Sequence, residues 1–342
     1  MKKIIALVLA MLMALSLVAC GNTAGQDEAG GDTAEHLMSS PLTLKVSYTE
    51  NPDTAIGTVM PAAFEKITEM TNGDLKFEIY PSSQLGTNAD VLEQIANGAP
   101  IIQTAGYDNM AAYCDSCVPL AIPYVFQNTD EVIAFANTEY FEKVVADLTN
   151  VGYVPLCSGT LGVRHFISTK PITCADDIKG MIVRMGASNP CQSFVTVMGG
   201  TPTTTAWADN YSMLQSGAIE ACEASIDLLW SSSLYEVCDY LCLSGHLSTP
   251  FMFVMSPTFY DQIPAEYQEI MKSVLNDACA EVATKLNTDA ATYVQKFKDA
   301  GVTVCEDPDI NSFTAVLPDL FDYLKIEQSV YTDIRAAIEG AM

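Results

Sequence analysis

Three arginines stand in the whole chain, Arg164, Arg184 and Arg335, and two of them sit in apolar surroundings. Arg184 falls in Met181-Ile182-Val183-Arg184-Met185, and Arg164 in Leu161-Gly162-Val163-Arg164-His165-Phe166. Both runs read as β-strands. A guanidinium keeps its proton in a protein, so an arginine on an interior strand needs an anionic partner. One of the 42 Asp and Glu residues can supply it. The other reading is a bound carboxylate. Two arginines on neighbouring strands, in a chain that leaves ordinary surface work to lysine, suggest a planar clamp for an organic acid.

Other chemistry is sparse. Cys114-Asp115-Ser116-Cys117 is the one cysteine spacing with redox meaning, but no Lys, Arg or His lies between Ala111 and Pro123 to lower a thiol pKa. Two buried thiols or a local disulfide suit it better than catalysis. His36, His165 and His246 are not spaced with cysteines or carboxylates like a zinc site, so no metal or cofactor is expected. The serine-hydrolase elbow, the zincin helix and the phosphate-binding loop are missing from the sequence, so no catalytic residue is assigned. An exported thiol oxidoreductase using Cys114 and Cys117 remains the competing enzyme reading.

The 342 residues are 49% hydrophobic and 17% charged, which describes a folded chain large enough for two lobes. A net charge of -26, with no basic stripe, excludes nucleic acid as a partner. Lys2 and Lys3 precede an apolar run from Ile4 to Ala19, the pattern of a secretory signal. Leu17-Val18-Ala19-Cys20 has the order of a bacterial lipoprotein cleavage box, so residues 1–19 are expected to be removed and Cys20 to be lipidated. Residues 20–40 then form a flexible tether that holds an extracytoplasmic body to a membrane.

The elements that must carry the arginines alternate between strand and helix, an α/β pattern. Strands are expected at Leu42–Tyr48, Leu75–Tyr80, Gly162–Ser168 and Met181–Met185, and helices at Pro61–Met70, Ala89–Ala96 and Ser193–Met198. Helical spacing runs from Asp130 to Leu148 without a break, and from Trp207 to Ser216 before Gly217. A pattern from Pro264 to about Ala300 predicts a helix roughly 50 Å long, too long for one lobe.

Together these segments resemble the solute-receptor subunits of tripartite ATP-independent periplasmic (TRAP) transporters, the DctP type, from Leu42 to about Leu324. The likeness rests on Tyr80-Pro81-Ser82-Ser83-Gln84-Leu85-Gly86, on Val118 to Phe126, on Gly162-Val163-Arg164, and on Ile178-Lys179-Gly180-Met181-Ile182-Val183-Arg184. It continues through Gly199-Gly200-Thr201-Pro202 and Tyr211 to Glu220. The resemblance implies a two-lobe α/β fold with a cleft, crossover strands and a long helix spanning both lobes. Lobe I would comprise 41–161 and about 250–289, lobe II 162–249 and about 290–342. It further implies that the cleft closes on a small organic acid, which is then handed to the membrane permease. By the same resemblance Arg184 makes the main salt bridge to the ligand carboxylate and Arg164 assists. Trp207 lies against the ligand, Glu93 meets its polar groups, and His246 lies where the chain crosses between lobes. Glu223 is followed by Ala224, where many relatives have asparagine, which argues against sialic acid. With Tyr107 and Tyr211, Trp207 favours a small, flat or partly apolar acid. A receptor for an ATP-driven importer is the alternative within the binding class.

Overall fold

The computed structural model describes residues 36–342. The signal segment, Cys20 and residues 21–35 of the expected tether lie outside the described residues. The last part of that tether is not free: His36 Nδ1 lies 2.7 Å from Asp74 Oδ1, and the Met38 amide donates to Asp74 Oδ2 at 3.1 Å. A buried carboxylate on the body captures the chain five residues earlier than composition suggested.

Ten strands form one mixed sheet: β1 (Leu42–Ser47), β2 (Leu75–Tyr80), β3 (Ile101–Gly106), β4 (Val154–Pro155), β5 (Gly159–Ser168), β6 (Ile182–Arg184), β7 (Thr201–Thr203), β8 (Ala221–Ser225), β9 (Tyr240–Met255) and β10 (Thr303–Cys305). The main order is β2-β1-β3-β9-β5-β8-β6-β7. Parallel pairs β1/β2 and β1/β3 build one lobe, and parallel pairs β6/β7 and β6/β8 the other. Antiparallel β5 and β9 cross between them.

The side-chain alternation of β9 explains how a single strand serves several cores. Phe251, Phe253 and Met255 pack with the Ala55–Met70 helix on one face of lobe I, while Met252 and Val254 pack with Val132 and Phe135 on the other. Further along, Leu241 and Cys242 divide likewise between the two cores of lobe II. Where β5 and β9 pass from lobe to lobe their register shifts twice, between Thr160 and Val163 and between Arg164 and Phe166. Gly162 sits in the first shift at φ 88°, a backbone conformation that other residues rarely adopt.

The long helix Ala265–Asp299 has 35 residues, about 52 Å at 1.5 Å per residue. Tyr267, Met271 and Val282 belong to the lobe I core and Phe297 to a lobe II core, so it spans both. Two sequence expectations change. The helical run after Asp130 breaks into Thr129–Phe135 and Glu139–Asn150, because Thr138 leaves the helix and caps the second piece with a 3.2 Å bond from the Phe141 amide. The C-terminal segment also divides. Phe313, Leu320 and Phe321 pack in the core with Ile178 and Phe194, whereas the closing helix Gln328–Ala341 turns Ile334 and Ile338 into the core with Val132 and Phe135. Arg335 fixes it there, pairing with Glu131 and donating to the Val125 carbonyl at 3.1 Å.

Candidate functional site

The carboxyl ends of parallel strands from both lobes converge on one cavity, the position where open α/β sheets place ligands. Its volume is about 390 Å³. Thr49 and Glu50 follow β1, Ser83 follows β2, and Asp108 and Asn109 follow β3. From the other lobe come Arg184 at the end of β6, and Thr204, Thr205 and Trp207 after β7. Arg164, midway along β5, lines it from the crossing strands.

Arg184 is half-buried and meets no carboxylate within ion-pairing distance among the described residues. Its Nε and Nη2 both donate to the Thr205 carbonyl, at 3.3 and 2.9 Å, and its guanidinium carbon lies 5.4 Å from the centroid of the Trp207 ring. The ring is itself held by its indole N–H, which donates to Ser232 Oγ at 3.0 Å. Burial depresses the Arg184 pKa, with Glu223 and Asp108 opposing, yet so basic a group stays charged. It is a half-buried cation with capacity to spare for an anion.

Arg164 is different. Its Nε and Nη2 grip the two carboxylate oxygens of Glu223 in a bidentate pair, Nη2 at 2.6 Å from Oε1. Burial alone would raise the Glu223 carboxyl, but the Arg164 charge and its hydrogen bonds, with the His246 ring close by, hold it down at about 2. The strands that carry the two arginines are not neighbours: β8, bearing Glu223, lies between β5 and β6. That intervening acid is the partner which sequence order concealed. His246, fully buried in β9, stacks on Phe166 at 4.3 Å, and its Nε2 lies 3.5 Å from Glu223 Oε2. It belongs to the crossing strands and does not line the cavity. His165 accepts from the Gly245 amide through Nδ1 at 3.1 Å, and burial pushes its pKa down to about 3, so it sits there neutral.

Of the six expected ligand contacts, Arg184, Arg164 and Trp207 line the cavity and Glu93, Tyr107 and Tyr211 do not. Glu93 is exposed on the Asn88–Ala96 helix, whose first residue faces the cavity instead. Tyr107 is fully buried in the lobe I core with its hydroxyl 3.5 Å from Ser158 Oγ. Tyr211 turns outward and donates to Glu236 at 2.8 Å.

Sequence reasoning passed over the acids Glu50 and Asp108, both buried and both on the cavity wall. Burial pushes the Glu50 carboxyl up to about 7, aided by Asp227 and opposed by Arg164. Burial raises Asp108 as well, against the pull of Arg164. Beside them a polar chain links Gln103 to Asn88 and Asn88 to Asn109, the latter at 2.7 Å. Gly106 is required beneath: a Cβ there would stand 2.1 Å from Asp108 Oδ1.

The cysteine pair is present as two free thiols. Cys114 and Cys117 are buried, and burial with the adjacent Cys114 pushes the Cys117 thiol well up. Among the described residues, no group of three or more His, Cys, Asp or Glu is arranged to hold a metal ion. No helix among them is long and apolar enough to cross a membrane.

Two α/β lobes joined by crossing strands, with a cavity between them lined by both polar and apolar groups, have the architecture of a solute-binding protein. The family model described as bacterial extracellular solute-binding protein, family 7 (DctP), matches residues 46–328, and the chain belongs to that family. Proteins of this family are extracytoplasmic receptors that work with TRAP permeases. The chain is 25% identical over 252 residues to the 2,3-diketo-L-gulonate-binding periplasmic protein of Escherichia coli, covering 73% of this chain and 77% of that one. It resembles the crystal structure of a TRAP periplasmic solute-binding protein of Actinobacillus succinogenes with bound L-galactonate, at TM-score 0.83 and 26% identity, covering 87% of this chain and all of that one. A similar protein from Ochrobacterium anthropi with bound L-fuconate gives TM-score 0.83 at 24% identity, with the same coverage.

Proposed function

We propose that this protein is the receptor for a small organic acid whose carboxylate is taken by Arg184 against the face of Trp207. The carrying observation is that Arg184 is a half-buried cation whose hydrogen bonds among the described residues go to one carbonyl, at the meeting point of both lobes. Arg164 supports the site from behind, its own fork committed to Glu223. The acids named for relatives, L-galactonate and L-fuconate, are of the kind a 390 Å³ cavity rich in hydroxyl and amide groups accommodates. The loaded receptor docks on a TRAP permease, and a lipid on Cys20 keeps it at the membrane face.

A thermal-shift screen of aldonates, uronates and C4 dicarboxylates tests the reading, since a ligand at 100 times its Kd adds about 2.7 kcal/mol of stability. At least one acid raises the melting temperature, and Arg184→Ala abolishes the shift. If no acid does so, or if the shift survives in Arg184→Ala, the reading fails. For the anchor, Cys20→Ser releases the protein from the membrane fraction, whereas retention there refutes it.

A further inference from the structure

We infer that the bound acid also carries a positive charge, and that Glu50 and Asp108 form the wall receiving it, so the ligand class is the amino-substituted carboxylic acid. This rests on the receptor reading and specifies it further. Glu50 and Asp108 are only 8% and 5% exposed, and both line the cavity. Glu50 Oε2 has no hydrogen-bond partner among the described residues. The nearby hydroxyl of Thr249, 1% exposed and on the same wall, also lacks one. Both residues line the cavity, and the two unpartnered atoms are enclosed by protein, not part of an open surface patch.

Charge counting selects the group they accept. Arg164 is the cation both acids feel, but its fork is taken by Glu223. Glu50, Asp108, Asp227 and Glu223 thus set four acids against the guanidiniums of Arg164 and Arg184, and burial without a cation of their own shifts Glu50 and Asp108 toward the protonated form. A simple carboxylate would add a fifth acid against two cations in a desolvated space, where like charges repel most strongly. A sugar hydroxyl fills an acceptor site but neutralises nothing. An ammonium group does both, and Asp108 is placed to receive it close to the carboxylate site: its Oδ2 lies 3.5 Å from where a Cβ on Gly186 would stand, two residues beyond Arg184. A zwitterion then meets Arg184 with one end and the acidic wall with the other.

Calorimetry on the protein with matched probes tests this. The probes are the protein amino acids, β-alanine and 4-aminobutyrate, each beside the hydroxy acid and the unsubstituted acid of the same skeleton. We expect an amino member to bind about tenfold or more tighter than its matched partners, a difference of about 1.4 kcal/mol. Glu50→Gln or Asp108→Asn erases that preference while the circular dichroism spectrum stays native. The inference is overturned if hydroxy or unsubstituted acids bind as well, if both variants keep the preference, or if no amino member binds. An aldonate or uronate that binds through Arg184 while every amino acid fails would leave the receptor reading standing and remove this one alone.

Discussion

Arg184→Ala separates ligand recognition from folding. In the native protein the guanidinium donates 3.3 and 2.9 Å bonds to the Thr205 carbonyl and lies 5.4 Å over Trp207. A carboxylate gripped by the same group exchanges two charge-assisted bonds, each about 1.5 to 3 kcal/mol net. Removing the cation leaves the ligand carboxylate buried and unmatched, at a cost of about 3 to 5 kcal/mol, so affinity falls by roughly two hundred to several thousand fold. Stability responds far less, because losing the contacts to Thr205 and Trp207 is offset by removing a buried charge that has no carboxylate beside it. The melting temperature therefore shifts by only about 2 to 4 °C. Calorimetry with the tightest acid from the screen, beside thermal melts of both proteins, supplies the two numbers. An affinity within about threefold of native would refute the reasoning, because a charge pair in a desolvated cleft is not that weak.

Arg164→Ala should behave in the opposite way. It strands the Glu223 carboxylate, which is 1% exposed, and should cost about 3 to 5 kcal/mol of folding stability in a denaturant titration. A near-native midpoint would show that the pair holds little. Glu50 gives a pH signature: its folded pKa of about 7 lies above the unfolded value, so its burial penalty is full above pH 7 and disappears below about pH 4.5. Melts should show Glu50→Gln stabilising the protein by up to about 3 kcal/mol at pH 8 and by almost nothing at pH 4.5, whereas a pH-independent gain would contradict the assignment. Tyr211→Phe and Glu93→Gln, altering side chains outside the cavity, leave ligand affinity within about twofold; a larger loss in calorimetry would place them in the site after all.

How far the site could be read from sequence follows from geometry. Arg184 was legible because a cation at the end of an apolar strand is conspicuous whatever the topology. Arg164 was equally conspicuous, but its partner was not, since β8 enters between β5 and β6 only after two further strands, β6 and β7, and the helices that follow each. Tyr107 and Asp108 are adjacent, and a difference of one residue where β3 ends decides which faces the core and which the cavity. Glu93 lies five positions from Asn88, about 140° round the helix, so the member of that pair on the cavity side is the first residue and not the sixth. Glu50 and Asp108 were hidden among 42 acids. Their signal is positional, since each falls just beyond the carboxyl end of a parallel strand, a site visible once the sheet order is known. The long helix was the most legible element, because ten turns of repeated spacing leave little room for another reading.

β9 carries a liability as well as a bridge. Its sixteen residues deal side chains alternately to opposite faces within each lobe, on either side of the register shift between Cys242 and Leu247. Inserting one residue near its middle would exchange Phe253 with Val254 and every such neighbour beyond that point, spoiling both faces of lobe I together. Nor can either half be excised as a module, since the polypeptide revisits each one and leaves it again before closing. Swapping recognition surfaces between homologous receptors should therefore succeed at the loops beyond the strand ends and fail wherever a graft junction falls inside this shared ribbon.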